Sequence, residues 1–180
     1  MELPKRKPNR LSYYNYSTPG AYFITLCVKD KKCLLGRIVG GGTFDAPQLC
    51  PSKAGIVAER YILSGNRIPG ISVDKYVIMP NHIHLILIVE ERCGGTSRAP
   101  SPTGAEGGTS RAPSPTNQAI PHFVSTYKRF CNKDLGENIF QRSYHDHVIR
   151  NERDYLRIWQ YIDTNPAKWQ EDCFYIPNEE

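Results

Sequence analysis

A strand with two histidines, and a helix offering a phenol and an amide one turn apart, can make one site. His82 and His84 sit two positions apart at the start of an apolar run, His82-Ile83-His84-Leu85-Ile86-Leu87-Ile88-Val89. The run is rich in β-branched residues and reads as a buried strand. A strand alternates faces, so both imidazoles project from the same side, about 7 Å apart along the backbone. Such a pair either hydrogen-bonds at the edge of a core or converges on a shared metal ion. Further on, Tyr161 and Asn165 stand four residues apart, which makes them neighbours on a helix. The amide oxygen of Asn165 is a candidate third ligand beside the two imidazoles. A divalent ion held by neutral donors keeps its charge and open positions that a phosphodiester can fill. A phenol one turn back would then be a nucleophile in need of activation. Eleven tyrosines are present, and Tyr127, Tyr144 and Tyr155 compete for that role on residue type alone.

The elements that must position these groups follow from pattern. Ala21–Val28 reads as a strand, Leu34–Val39 as a second, and residues 71–79 as the strand entering the histidine strand. Pro80-Asn81 is a tight connection and predicts antiparallel pairing. A Gly/Pro-containing loop is expected from Gly40 to Pro51, with Ser52 as the N-cap of a helix that ends at Gly65-Asn66. An amphipathic helix is expected over 117–135, with Gly136 as its C-cap. Residues 139–149 read as extended. Asn151 caps a last helix that Pro166 stops, with Tyr155, Ile158, Trp159 and Ile162 as its apolar stripe. Residues 170–180 read as an acidic, loosely held tail. Together these predict an α+β fold: a ferredoxin-like antiparallel sheet with helices on one face.

The chain of 180 residues fits one domain with an insertion. That insertion is placed at 93–116, where Gly94-Gly95-Thr96-Ser97-Arg98-Ala99-Pro100-Ser101-Pro102-Thr103 recurs unchanged at Gly107–Thr116; a segment so rich in Gly, Pro, Ser and Thr builds no core. Residues 1–10 are expected to be a flexible basic arm. No apolar run is long enough to cross a bilayer and the basic N-terminus has no secretory h-region, so no membrane partner and a cytoplasmic location are expected. The net charge of +5 favours a polyanionic partner. Six cysteines without a C-x-x-C pair are read as reduced thiols rather than a zinc ribbon.

Three blocks resemble a known family. Met79-Pro80-Asn81-His82-Ile83-His84-Leu85 looks like the His-hydrophobe-His strand of the HUH tyrosine transposases. Phe140–Arg150 (Phe140-Gln141-Arg142-Ser143-Tyr144-His145-Asp146-His147-Val148-Ile149-Arg150) and Gln160–Lys168 (Gln160-Tyr161-Ile162-Asp163-Thr164-Asn165-Pro166-Ala167-Lys168) look like its second and third blocks. The likeness is to the REP-associated tyrosine transposases, relatives of the insertion-sequence-200-like group, and covers roughly residues 10–170 apart from the insertion. Phe140 stands where Trp is usual, Gln160 where Asp is frequent, and Trp169 where His is common. The resemblance implies an HUH-type domain in which Tyr161 attacks single-stranded or hairpin DNA, leaving a 5′-phosphotyrosine and a free 3′-OH. It also implies that His82, His84 and Asn165 hold Mg²⁺ or Mn²⁺, in a monomer or homodimer. Lys128, Arg129, Arg142 and Arg150 are candidate phosphate contacts. The competing expectations are a catalytically silent repeat-DNA-binding protein of the same fold and an unrelated metal-dependent phosphohydrolase.

Overall fold

The computed structural model describes residues 14–41, 46–91 and 118–177. The expected basic arm, the repeat-bearing insertion, Cys93 and part of the glycine loop lie outside the described residues.

Six strands and three α-helices form among the described residues. In order they are β1 (Gly20–Cys27), β2 (Gly36–Val39), β3 (Gln48–Pro51), α1 (Lys53–Ser64), β4 (Ile71–Ile78), β5 (His82–Val89), α2 (Ala119–Leu135), β6 (His145–Ile149) and α3 (Glu152–Thr164). The main sheet has the order β4-β5-β1-β6 and every neighbouring pair is antiparallel. This is the ferredoxin-like arrangement with an extra helix at its end. β2 and β3 form a small separate hairpin, so part of the stretch expected to be loop is strand. The extended stretch after α2 pairs as a strand only from His145; before that it touches the sheet through one bridge, Val28 to Phe140.

Local signals account for the helix ends. Ser52 caps α1, its Oγ accepting from Gly55 N at 3.2 Å. Asn151 caps α3, its Oδ1 accepting from Asp154 N at 2.8 Å. Gly136 closes α2 in the left-handed region at φ 76°, which a side chain would resist.

The sheet is covered on both faces. Tyr22, Ile24 and Leu26 of β1 and Ile83, Leu85 and Leu87 of β5 meet Val57, Ala58 and Ile62 of α1 and Phe123, Val124 and Tyr127 of α2 in one core. The opposite face, which carries Phe23 and Ile86, packs on Ile158 and Ile162 of α3. The expectation of helices on one face therefore holds for α1 and α2, while α3 makes a second layer on the side to which His82 and His84 belong. That layer explains why β5 is apolar at successive positions rather than alternating: it is buried on both sides.

A β-bulge fixes the seat of α3. The β4–β5 register shifts between Val73 and Lys75, so the alternation of β4 is broken there. Asp74 and Lys75 consequently both meet α3. Tyr155 Oη donates to Asp74 at 2.6 Å, and the Lys75 ammonium bonds Asp163 at 2.7 Å while lying 3.4 Å from the centre of the Trp159 ring. Trp159, expected in the buried stripe, is 39% exposed and works as this outer clasp; the Lys75 charge over its ring holds α3 from the solvent side.

Candidate functional site

The histidines end up where β5, β1, α3 and the segment after α3 meet. His82 is fully buried and His84 nearly so, with ring centres 4.5 Å apart. Each imidazole is held from behind. His82 Nδ1 lies 2.9 Å from Asn81 Oδ1. The Asn81 amide nitrogen donates to Lys31 O at 3.0 Å and to Phe174 O at 2.8 Å, which leaves its oxygen as the acceptor for the ring. His82 Nδ1 therefore carries the proton and Nε2 the lone pair, and Nε2 is buried without a hydrogen-bond partner. His84 Nδ1 lies 2.9 Å from Thr25 Oγ1, on the directly paired residue of β1.

Burial pushes His82 down to about 4, partly offset by the charge of Asp172. His84 is driven well below the ordinary histidine value by burial and by the neighbouring His82. Both rings are neutral at pH 7, as metal ligands must be.

Tyr161 and Asn165 arrive from α3. The Tyr161 hydroxyl stands 3.2 Å from His84 Nε2 and donates to Asp172 Oδ2 at 3.3 Å. The residue is 40% exposed, so it spans from solvent to the histidines. Burial of the hydroxyl and the charge of Asp172 raise its pKa to about 12. Asn165 is 2% exposed; its Nδ2 donates to Asp172 Oδ2 at 3.1 Å, and its Oδ1 is buried with no partner.

Asp172 is the residue that sequence reasoning missed. It lies in the stretch expected to be a loose tail. Instead, Pro166–Glu171 forms a 3-10 turn that carries the chain back across the site. Asp172 N bonds Trp169 O at 3.1 Å, Phe174 N donates to Asp172 Oδ1 at 2.7 Å, and the Phe174 ring lies 4.6 Å from that of His82. The Asp172 side chain is only 2% exposed, and its Oδ2 is 3.9 Å from His82 Nε2. His82, His84 and Asp172 bring one ligand atom each within 4.8 Å of one another. This cluster can hold a metal ion, and the bare His82 Nε2 and Asn165 Oδ1 are the kind of buried lone pairs that a cation would satisfy.

The candidate phosphate contacts come from α2 and from the segments on either side of β6. Arg129, Arg142 and Arg150 are exposed. Lys128 is tied locally, its ammonium donating to the carbonyls of Gln141 at 2.7 Å and Ser143 at 2.9 Å. Tyr144, 3% exposed, belongs to the core. Cys27 and Cys131 are buried free thiols, and Cys33, Cys50 and Cys173 exposed ones.

No family model matches the chain. A Haemophilus influenzae protein described as uncharacterized is 33% identical over 177 residues, covering 95% of this chain and 93% of its own. The chain belongs to the family of that protein. Among solved structures, a REP-associated tyrosine transposase bound to a REP hairpin superposes with a TM-score of 0.57 at 19% identity, over 94% of this chain and 74% of the other. The fold is that of a tyrosine transposase. In this transposase fold the paired histidines lie on a central strand and the tyrosine on the helix added to the sheet's second face, so the two halves of the site belong to different layers. Among the described residues no helix is long and apolar enough to cross a membrane.

Proposed function

We propose that the protein is a metal-dependent single-stranded DNA transposase that acts on hairpin or palindromic repeat DNA through a covalent tyrosine intermediate. One observation carries this reading: a helical phenol, partly open to solvent, lies within hydrogen-bond reach of both a metal-capable imidazole and a buried carboxylate. The solved hairpin complex that shares the fold supports hairpin DNA as the substrate class.

His82, His84 and Asp172 would hold Mg²⁺ or Mn²⁺, with Asn165 Oδ1 as a further donor. When bound, the ion supplies positive charge that polarises a non-bridging phosphate oxygen and offsets charge on the transferring phosphoryl group. Tyr161 Oη attacks phosphorus, the Tyr161 O–P bond forms and the P–O3′ bond breaks. The products are a 5′-phosphotyrosine and a strand ending in 3′-OH. Asp172 Oδ2 orients the hydroxyl and is positioned to take its proton, which passes on to the departing O3′. A 3′-OH then attacks the phosphorus of the phosphotyrosine: a P–O3′ bond forms, the Tyr161 O–P bond breaks and the phenol regains its proton, so strands rejoin without an external energy source. Asn165 keeps Asp172 in place through its Nδ2, and Phe174 shields His82 from water.

The test is a labelled hairpin oligonucleotide with single-stranded flanks, incubated with Mn²⁺ or Mg²⁺ and run on a denaturing gel. Wild type forms a protein–DNA adduct, and Tyr161→Phe forms none while binding DNA equally. Cleavage that survives in Tyr161→Phe would point to water as the nucleophile and to a phosphohydrolase. Binding without cleavage by wild type would point to a silent repeat-binding protein.

A further inference from the structure

A groove of about 290 Å³ runs along α3 beside the nucleophile, lined by Arg157, Gln160, Tyr161, Thr164, Asn165 and Lys168. We propose that this groove seats the single strand at the cleaved phosphodiester, with Arg157 and Lys168 contacting phosphates on either side of Tyr161. The inference rests on the strand-transfer reading above and deepens it by giving the substrate a path.

The spacing makes the groove. Residues three, four and seven apart share a helix face, so Arg157, Gln160, Tyr161 and Thr164 form one surface of α3. Asn165 and Lys168 extend it into the 3-10 turn, where Lys168 N bonds Asn165 O at 3.0 Å. Tyr161 and Asn165 belong both to this surface and to the histidine cluster, so the groove opens directly on the site. Its size is at the lower end of the roughly 300–1,000 Å³ of small-molecule sites, which suits one nucleotide unit rather than a duplex.

The lining is selective by charge. No carboxylate contributes to it, although the chain carries 18 aspartates and glutamates. Arg157, 72% exposed in its side chain, gives one Nη to Asp154 at 2.7 Å. Asp154 is itself held by His147 at 2.6 Å, so the guanidinium is aimed while its other donors remain for a ligand. Arg157 starts one turn, about 6 Å along the axis, before Tyr161, and Lys168 lies beyond it on the far side. Between these two cations the lining is neutral and polar: Thr164 Oγ1 donates back to Gln160 O at 2.9 Å, leaving its lone pairs as acceptors, and the Gln160 side chain is exposed. This pattern places cations at the ends for the backbone and amide and hydroxyl groups at the centre for a base edge.

The experiment measures binding without cleavage. An oligothymidylate of about 12 nucleotides, without added metal, is titrated by fluorescence anisotropy over a range of salt concentrations. For Arg157→Ala/Lys168→Ala the slope of log affinity against log salt falls in magnitude by about 1.4, as expected for two lost single-strand phosphate contacts, and low-salt affinity drops about tenfold or more. Arg157→Lys, which keeps the charge, retains the wild-type slope, and Mn²⁺ binding is the same in all variants. A slope in the double alanine variant within about 0.3 of wild type overturns the proposal. So does a slope lost equally in Arg157→Lys, which would make Arg157 a structural clamp on Asp154. Failure of wild type to form the covalent adduct counts against the transposase reading instead, and is read in the separate hairpin assay.

Discussion

The depressed pKa of His82 makes a prediction that can be worked through in numbers. Metal-free protein is taken from pH 7 to pH 5. In the unfolded chain the imidazole titrates near its ordinary 6.5, whereas in the folded protein burial lowers it to about 4. The unfolded state therefore binds the proton first as pH falls, and stability is lost with it. The loss begins near pH 6.5 and levels off below the folded value of about 4. Across the whole window it amounts to about 3 kcal/mol, and between pH 7 and 5 to about 2 kcal/mol. Against a total stability of roughly 5–15 kcal/mol that is a large share. Solvent screening does not reduce it, because the side chain is fully buried. His84 acts in the same direction. The assay is urea unfolding of EDTA-treated wild type and His82→Gln at both pH values. Wild type loses about 2 kcal/mol more than the variant on going from pH 7 to 5, with unchanged m-values. A difference smaller than about 0.5 kcal/mol, or an NMR titration of His82 near its ordinary value, would refute the reasoning. The same neutral rings imply that Mn²⁺ affinity is nearly flat from about pH 7.5 to about 5.5, where an unperturbed histidine site would already weaken.

Other perturbations read separate parts of the site. Thr25→Val removes the oxygen 2.9 Å behind His84 Nδ1 and is expected to lower Mn²⁺ affinity about 10-fold or more by calorimetry, with little change in fold. Asp172→Asn keeps the shape but removes the only carboxylate of the cluster; Mn²⁺ affinity should fall further than in Thr25→Val, and the Tyr161 phenol, relieved of that charge, should titrate lower in a spectrophotometric pH titration. Gly55→Ala would drive a Cβ into the Leu35 carbonyl, a backbone atom that cannot move aside, and is expected to cost about 1–3 kcal/mol in urea unfolding.

What could be read in the chain order was what is local. Ser52, Asn151 and Gly136 marked helix ends because capping is decided by a residue and its next few neighbours. His82 and His84 shared a face because strand alternation is local, and Tyr161 and Asn165 came together because helical spacing is. The tertiary structure decided the rest. Asp172 had no local signature; besides its bonds to nearby Asn165 and Trp169, the segment that carries it is held at the site by Phe174 against His82 and by Asn81 on the Phe174 carbonyl, contacts between segments far apart in the chain. The bulge beside Asp74 and Lys75 likewise exists only in pairing with β5, and both of these residues meet α3, Asp74 through Tyr155 and Lys75 through Asp163 and Trp159. Periodicity names the face of an element, but which surface that face meets is settled by packing, where burial and hydrogen bonding across distant segments are satisfied together.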